Sequence, residues 1–271
     1  MIFGRRKLGS FSHIAINVCF HIFFISIFVI ISKVFMIKQI TYYGDSAIIC
    51  SFGDEVKKEI NKKVNLFFKI IYQNILEKKV RGIKNCIPSY NKLIIYFDLN
   101  NTSREKIVSF VENLSSQNPD LKQSFKHWSI PVCYDQEFGI DQKRVSEYTK
   151  LSIEEVIQEH MQTEFYIYML GFAPGFPYMG DLDNKLYCPR LPTPRVKINQ
   201  GSVIIAENFS AIYPYDSPGG WNILGNTPVR LFDQDLSSPS LFSPGDTVKF
   251  YPISFEEHKN FNMKTFLKNE N

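Results

Sequence analysis

Cysteine is scarce, five in 271 residues, which is too sparse for a disulfide scaffold. No two of Cys19, Cys50, Cys86, Cys133 and Cys188 stand in CxxC spacing, and the five histidines are scattered, which argues against a metal site. No GxGxxG string and no glycine-rich loop ending in Lys-Ser or Lys-Thr occurs, so the chain carries no recognisable nucleotide loop. No histidine lies between His160 and His258, so the glycine-rich strings in that interval lack the base of a Ser-His-Asp triad. Internal repeats are missing as well, which excludes a solenoid or propeller.

Charge excess is confined to one end. The net charge is +4, and residues 1–35 hold Arg5, Arg6, Lys7 and Lys33 with no acid. The remainder has 27 basic and 27 acidic residues and balances to zero, leaving no electrostatic footprint for nucleic acid. Ile14 to Ser32 is uncharged and apolar. Nineteen residues at roughly 1.5 Å each nearly span a hydrocarbon core of about 30 Å. This N-terminal segment reads as a mis-start ahead of Met36, with a single-pass anchor through 14–32 as the alternative. A cleavable leader fits less well, for want of a small-x-small site. A start at Met36 places the body in the cytoplasm, where free cysteines belong.

What is present is an aromatic-rich globular composition, with 24 Phe and 14 Tyr and length enough to bury a sizeable core. Residues 36–126 read as a small α+β domain. Strands are expected over 37–43, 47–52, 83–88 and 93–97. A helix is expected from Gly53 or Asp54 to about Lys79, and a second one capped by Thr102 through the box Thr102-Ser-Arg-Glu105. That order implies one sheet with helices on one face. The polar stretch 115–126 reads as a linker. Further strands are expected over 128–134 and 165–170, with helices opening at Asp141 or Gln142 and at the box Ser152-Ile-Glu-Glu155.

From Gly171 to Gly245 the composition shifts: ten of fourteen prolines and eight of fourteen glycines fall there. Strand-like runs at 202–206, 211–213, 229–232 and 247–251 alternate with these turns, the pattern of a closed or partly closed β-barrel over 127–255. Residues 256–271 read as a polar tail.

Five clusters in this region can carry chemistry. Gly171–Gly180 is a tight turn displaying Phe172, Phe176 and Tyr178, either a barrel-end plug or a site wall. Pro189–Lys197 places Arg190, Arg195 and Lys197 in a proline-stiffened stretch, either a solvated basic loop or, as three prolines favour, a site for bidentate anion binding. Gly201 and Ser202 are expected to present backbone amides to an oxyanion. In Tyr213–Trp221, Asp216 and Ser217 are the acid/base or nucleophile candidates beside Gly219 and Gly220, and Gly220 is expected at positive φ. Trp221 is a cleft wall or a core anchor. Arg230 and Asp233 are an ion pair or site groups. Cys188, with no histidine nearby, reads as a small apolar filler.

The strings GFAPGFPYMG, PRLPTPRVKINQGSV, YPYDSPGGWNILGNTP and RLFD, in that order, closely resemble the KipI / allophanate hydrolase subunit 1 family. YGDSAIICSFGDEV and the segment around PVCYDQEFGIDQKRVSEYT extend the resemblance over about 37–253. The resemblance implies an N-terminal α+β domain followed by a cyclophilin-like β-barrel. It implies work in a 5-oxoprolinase complex with two partners, a C subunit of homologous fold and an A subunit, opening 5-oxo-L-proline to L-glutamate with ATP. Other members of the family form one carboxyltransferase lobe of urea carboxylase or inhibit a sensor histidine kinase. From the chemistry of their side chains, Arg195, Asp216 and Ser217 are expected to serve catalysis. Arg190, Lys197, Gly201, Ser202, Tyr178, Tyr213, Gly219, Gly220, Trp221 and Arg230 are expected to bind substrate or its anionic groups. Arg195 is further expected to be an exposed loop charge whose removal spares the fold.

Overall fold

A computed structural model describes residues 36–116 and 125–269. The apolar run 14–32 and most of the expected linker lie outside the described residues. Among the described residues no helix is long and apolar enough to cross a membrane.

The N-terminal unit runs β1 (Gln39–Tyr42), β2 (Ala47–Ser51), α1 (Lys58–Leu76), β3 (Ile83–Pro88), β4 (Lys92–Phe97) and α2 (Arg104–Ser116). The four strands form an antiparallel sheet in the order β1-β2-β4-β3. Alternation in β4 turns Leu93, Ile95 and Phe97 inward, where they meet Val64, Phe67 and Ile71 of α1 and Ile107 and Val111 of α2. The helices therefore share one face of the sheet, as the element order implied.

Three boundaries differ from expectation. Helix α1 begins at Lys58, not at Gly53 or Asp54: Lys57 is the extended N-cap residue, no side chain caps it, and the Asp54 carboxylate is paired with Lys38. It stops at Leu76 because Lys78 turns left-handed (φ 54°), with Lys79 N–H donating to Asn74 O and Lys78 N–H to Ile75 O. That is a glycine-less Schellman end. The cap of α2 is Ser103, whose Oγ accepts from Lys106 N–H at 3.4 Å, one residue later than the expected Thr102.

The second unit follows as β5 (His127–Val132), α3 (Gln142–Thr149), α4 (Ile153–Gln162), β6 (Glu164–Leu170), β7 (Pro177–Gly180), β8 (Arg195–Ile198), β9 (Ser202–Ala206), β10 (Phe209–Ile212), β11 (Ser217–Gly219), β12 (Asn222–Asn226) and β13 (Thr247–Pro252). The Ser152–Glu155 capping box forms as expected. Seven strands lie in the order β12-β9-β10-β7-β6-β13-β5, and β13 pairs with β5 in parallel. Just past β5, Cys133 exchanges two backbone hydrogen bonds with Asn226 of β12, at 2.8 and 2.9 Å. This bridge joins the two ends of the sheet and nearly closes a barrel, which removes the exposed edges. The fold is therefore α+β, with the sheet-and-helix unit ahead of the barrel.

Two expectations are corrected here. Residues 229–232 are not a strand; Pro228 precedes them, and Phe232 makes one isolated bridge, to Ser240. Val229 and Leu231 are buried all the same. The expected polar tail holds α5 (Phe255–Lys259) and α6 (Met263–Asn269), and Phe266 is buried against the barrel core.

Strand β9 is buried at every position. Val203 and Ile205 face the barrel core, while Ile204 and Ala206 pack outward with Phe176, Tyr213, Trp221 and Ile223. The cover on that outer face includes the two-stranded β8–β11 ribbon and the 171–176 turn. A strand covered on both faces reads as a continuous apolar run.

Inside the barrel His160 is fully buried, bonded to Tyr134 Oη at 2.9 Å and Ser210 Oγ at 3.3 Å, and stacked on Phe250. Burial drives its pKa from the ordinary 6.5 to about 3. The unfolded chain binds this proton and the folded chain refuses it, so His160 contributes full stability above about pH 6.5 and loses it as the pH falls toward 3. Chemical denaturation between pH 7 and 4 is expected to show a decline approaching about 1.4 kcal/mol per pH unit from this group. His160→Gln should flatten that decline; an unchanged pH profile would remove His160 as its source.

Candidate functional site

Three of the sequence strings converge on the outer face of β9, β10 and β12. The turn leaving β6 is held by Gly171 N–H to Phe176 O at 3.1 Å and Phe176 N–H to Ala173 O at 3.0 Å. Phe172 (φ 64°) and Gly175 (φ 79°) are left-handed within it. For Gly175 this is free; for Phe172 it is strained, and it leaves that ring on the surface, 64% exposed. The strand pairing of β8 with β11 brings the proline-rich string beside the Gly-Gly-Trp string, and Leu191 N–H donates to Gly220 O at 2.7 Å.

Between them lies a cleft of about 270 Å³ lined by Phe172, Phe176, Tyr178, Arg190, Pro194, Tyr213, Pro218, Gly219, Gly220 and Trp221. Six of the sequence-predicted residues thus meet in one place: Tyr178, Arg190, Tyr213, Gly219, Gly220 and Trp221. Phe176 is the hub of the wall, with ring centroids 5.1 Å from Tyr178, 5.3 Å from Tyr213 and 6.4 Å from Trp221. The Arg190 guanidinium sits over Trp221 at 5.5 Å from the ring centre. Among the described residues it has no carboxylate partner, so its fork of donors is open to an anion. Burial raises the phenol pKa of Tyr178, and burial together with Tyr178 raises that of Tyr213, against the pull of Arg190. Both stay protonated at neutral pH, as hydrogen-bond donors rather than bases.

The other predicted residues are engaged elsewhere. Arg195 points to a carboxylate: its Nη2 lies 2.6 Å from Asp141 Oδ1, and Asp141, 6% exposed, also accepts Ile223 N–H at 2.8 Å. The expectation of an exposed loop charge is therefore corrected; Arg195 neutralises a buried acid. Lys197 pairs with Asp216 at 2.7 Å, and Asp216 also accepts Gln200 N–H, so its pKa is lowered by Lys197 first and by that amide second. Ser217 Oγ donates to Pro218 O at 3.3 Å. Asp216 and Ser217 thus brace the loop locally and form no hydrogen-bonded pair with each other. The amides of Gly201 and Ser202, expected to face an oxyanion, are used by Tyr213 O and Asn199 O. Gly201 (φ 79°) is packed against Thr227 O, which a Cβ would approach to 2.2 Å. Arg230 forms the ion pair with Asp233 at 3.1 Å.

Gly220 is not left-handed, against expectation, and a Cβ there would meet nothing nearer than Pro194, at 3.6 Å. The demanding glycine is Gly219, where a Cβ would stand 1.8 Å from the Tyr213 hydroxyl. Sequence reasoning missed Tyr90, from the N-terminal unit, whose ring approaches Tyr178 at 6.1 Å; no motif string contains it. Larger cavities of about 440 Å³ (beside Ile37, Tyr42 and Val108) and 430 Å³ (beside Tyr168, Asp181 and Phe209) exist. The smaller cleft alone among the three combines a guanidinium without a carboxylate partner and phenol donors on apolar walls. Among the described residues no three His, Cys, Asp or Glu side chains group as a metal site.

Residues 38–242 match the family model described as carboxyltransferase domain, subdomain C and D. The B subunit of 5-oxoprolinase from Bacillus subtilis is 36% identical over 231 residues, 81% of this chain and 95% of that protein. The corresponding protein of Haemophilus influenzae is 32% identical over 207 residues, 76% of this chain and 94% of its own. The crystal structure of TTHA0988 superposes with a TM-score of 0.67 at 30% identity over 77% of this chain, which spans 40% of that longer one.

Two outcomes follow for stability and cleft shape. Arg195→Ala leaves Asp141 buried without its cation and should lower unfolding free energy by about 3 kcal/mol. Adding Asp141→Asn should recover part of the loss; equal stability of wild type and Arg195→Ala in denaturant titration would sink the ion-pair argument. Gly219→Ala should displace Tyr213 and weaken ligand binding in the cleft, whereas Gly220→Ala should leave the melting temperature within about 2 °C, the size of a small surface change. Calorimetry of the two variants separates them.

Proposed function

Since the chain belongs to the carboxyltransferase domain, subdomain C and D, family, we propose that it is the B subunit of an ATP-dependent 5-oxoprolinase. The complex, formed in the cytoplasm with the A and C partners, opens 5-oxo-L-proline to L-glutamate. The observation that carries this reading is the kinship with 5-oxoprolinase B subunits over 94–95% of their length. The cleft chemistry supports it. The substrate is a small ring with two methylenes, a lactam and a carboxylate. Arg190 pairs with the carboxylate, the ring lies against Trp221 and Phe176, and protonated Tyr178 or Tyr213 donates to the lactam oxygen.

Opening the ring breaks the lactam C–N bond, adds water across it and is driven by ATP hydrolysis to ADP and phosphate. Donors aimed at the carbonyl oxygen stabilise the charge that develops there. The described cleft has no ionised carboxylate or histidine on its walls, so this chain holds and polarises the substrate. The group that activates water, and the nucleotide site, are assigned to the other members of the complex.

The chain co-expressed with its A and C partners should release glutamate from 5-oxo-L-proline only when ATP is supplied. Arg190→Ala should raise KM by about tenfold or more, the worth of a lost charge-assisted bond, with the melting temperature unchanged because no described acid depends on Arg190. An assembled complex that yields no glutamate, or an Arg190→Ala complex with wild-type KM, would overturn the proposal. ATP- and bicarbonate-dependent consumption of urea by the same complex would replace it with urea carboxylation.

A further inference from the structure

Behind Tyr178, a wall of the cleft, stands a ring that does not belong to the barrel. The hairpin joining β3 to β4 is closed by Ser89 N–H to Lys92 O at 2.8 Å and places Tyr90 at its tip. The Tyr90 ring lies 5.3 Å from Phe209, 5.8 Å from Tyr168 and 6.1 Å from Tyr178, all three on barrel strands. Tyr178 is itself a wall of the cleft. Burial first and Tyr178 second raise the Tyr90 pKa, and the Arg190 charge pulls the other way, so Tyr90 stands within electrostatic reach of the open guanidinium. Among the described residues the Tyr90 hydroxyl has no hydrogen-bond partner.

The tip is held from below by an amide with no spare capacity. Asn61 of α1 is fully buried. Its Nδ2 donates to Tyr90 O at 2.8 Å and to Ser89 O at 3.2 Å. Its Oδ1 accepts from Asn65 Nδ2 at 2.7 Å and from the Tyr166 hydroxyl of β6 at 3.1 Å. A carboxamide offers two donors and two acceptor sites, and all four are used here. The side chain therefore ties helix, hairpin tip and barrel strand together in one buried network, where each bond is worth most.

We propose that Tyr90 is a specificity-determining residue of the cleft, its neutral hydroxyl sharing the substrate carboxylate with Arg190, and that Asn61 is the positioning residue that holds Tyr90 there. The inference rests on the reading of the cleft as the 5-oxoproline site, and it makes that site composite, with each unit of the chain supplying one donor to the substrate carboxylate. A carboxylate has two oxygens, and one guanidinium plus one phenol satisfies both without a second charge. A lactam lacking the carboxylate gains nothing from either group.

The test compares wild type, Tyr90→Phe, Asn61→Ala and the double variant in the assembled complex. Tyr90→Phe keeps the ring and removes the donor; KM for 5-oxo-L-proline should rise about tenfold with kcat within about twofold, the worth of one hydrogen bond to a charged group. Asn61→Ala should raise KM similarly, and should add little to KM on top of Tyr90→Phe, because both act on one contact. A purely structural Asn61 would lower the melting temperature and leave KM alone. Unchanged KM in Tyr90→Phe overturns the role of Tyr90, and independent KM effects in the double variant overturn that of Asn61. Should the wild-type complex release no glutamate, the same variants of the full chain are titrated with 5-oxo-L-proline and with 2-pyrrolidone, following tryptophan fluorescence. Binding of the acid about tenfold weaker in Tyr90→Phe, with 2-pyrrolidone unaffected, sustains the inference even though the reaction assigned to the complex has failed. Equal binding, or no binding by wild type, overturns it.

Discussion

The carboxylate of Asp141 is the tie on which the cleft depends. It sits at the N-terminal edge of α3, nearly without solvent, with one oxygen on the Ile223 amide of β12 and the other on Arg195 of β8. A buried carboxylate is tolerated only with its partners in place. The ribbon that carries Arg195 is thereby held against the barrel wall, and the same ribbon contributes Gly219 to the cleft through β11. Gly219 must be a glycine because the Tyr213 hydroxyl occupies the space of its side chain. One ion pair, one strand pairing and one close approach thus place the Tyr213 wall of the site.

This arrangement separates the sequence-predicted cations that end on an acid from the one that does not. Arg195, Lys197 and Arg230 each end on an acid, and each neutralises or braces something local. Arg190 ends on the face of Trp221 instead. A guanidinium stacked on indole is oriented without being discharged, so it keeps its donors for a ligand. An arginine already paired with a carboxylate would have to break that pair before it could bind an anion.

The position of the cleft was legible in the strings, and its charge logic was not. Proline and glycine at 171–180, 189–194 and 218–220 act through local φ restrictions, which a sequence exposes directly, and the aromatic residues among them had to line whatever those turns enclosed. Period-2 alternation likewise marked the strands of the N-terminal sheet, though the uninterrupted run at 202–206 showed only that both faces were covered. Which of Arg190 and Arg195 was free depended on Asp141, 54 residues from Arg195 on a helix edge. The role of Gly201 depended on the carbonyls of Tyr213 and Thr227. Helix ends failed for a similar reason: Lys78 adopts the left-handed turn with no glycine to announce it, and Asp54 is drawn to Lys38 instead of capping α1. Tyr90 and Asn61 were illegible for the most distant reason, since their partners lie on barrel strands far along the chain, 105 residues on in the case of Asn61 and Tyr166.

The walls of the cleft offer donors and apolar rings, and among the described lining residues no carboxylate or histidine. Opening a lactam with ATP needs a polarised carbonyl, an activated water and a phosphoryl group. Phenols whose pKa is raised by burial are donors at every physiological pH, so they polarise the carbonyl and cannot take a proton from water. Phe172, held left-handed at φ 64° and 64% exposed, rims the open face of the cleft, so strain is accepted there to keep an aromatic edge at the mouth.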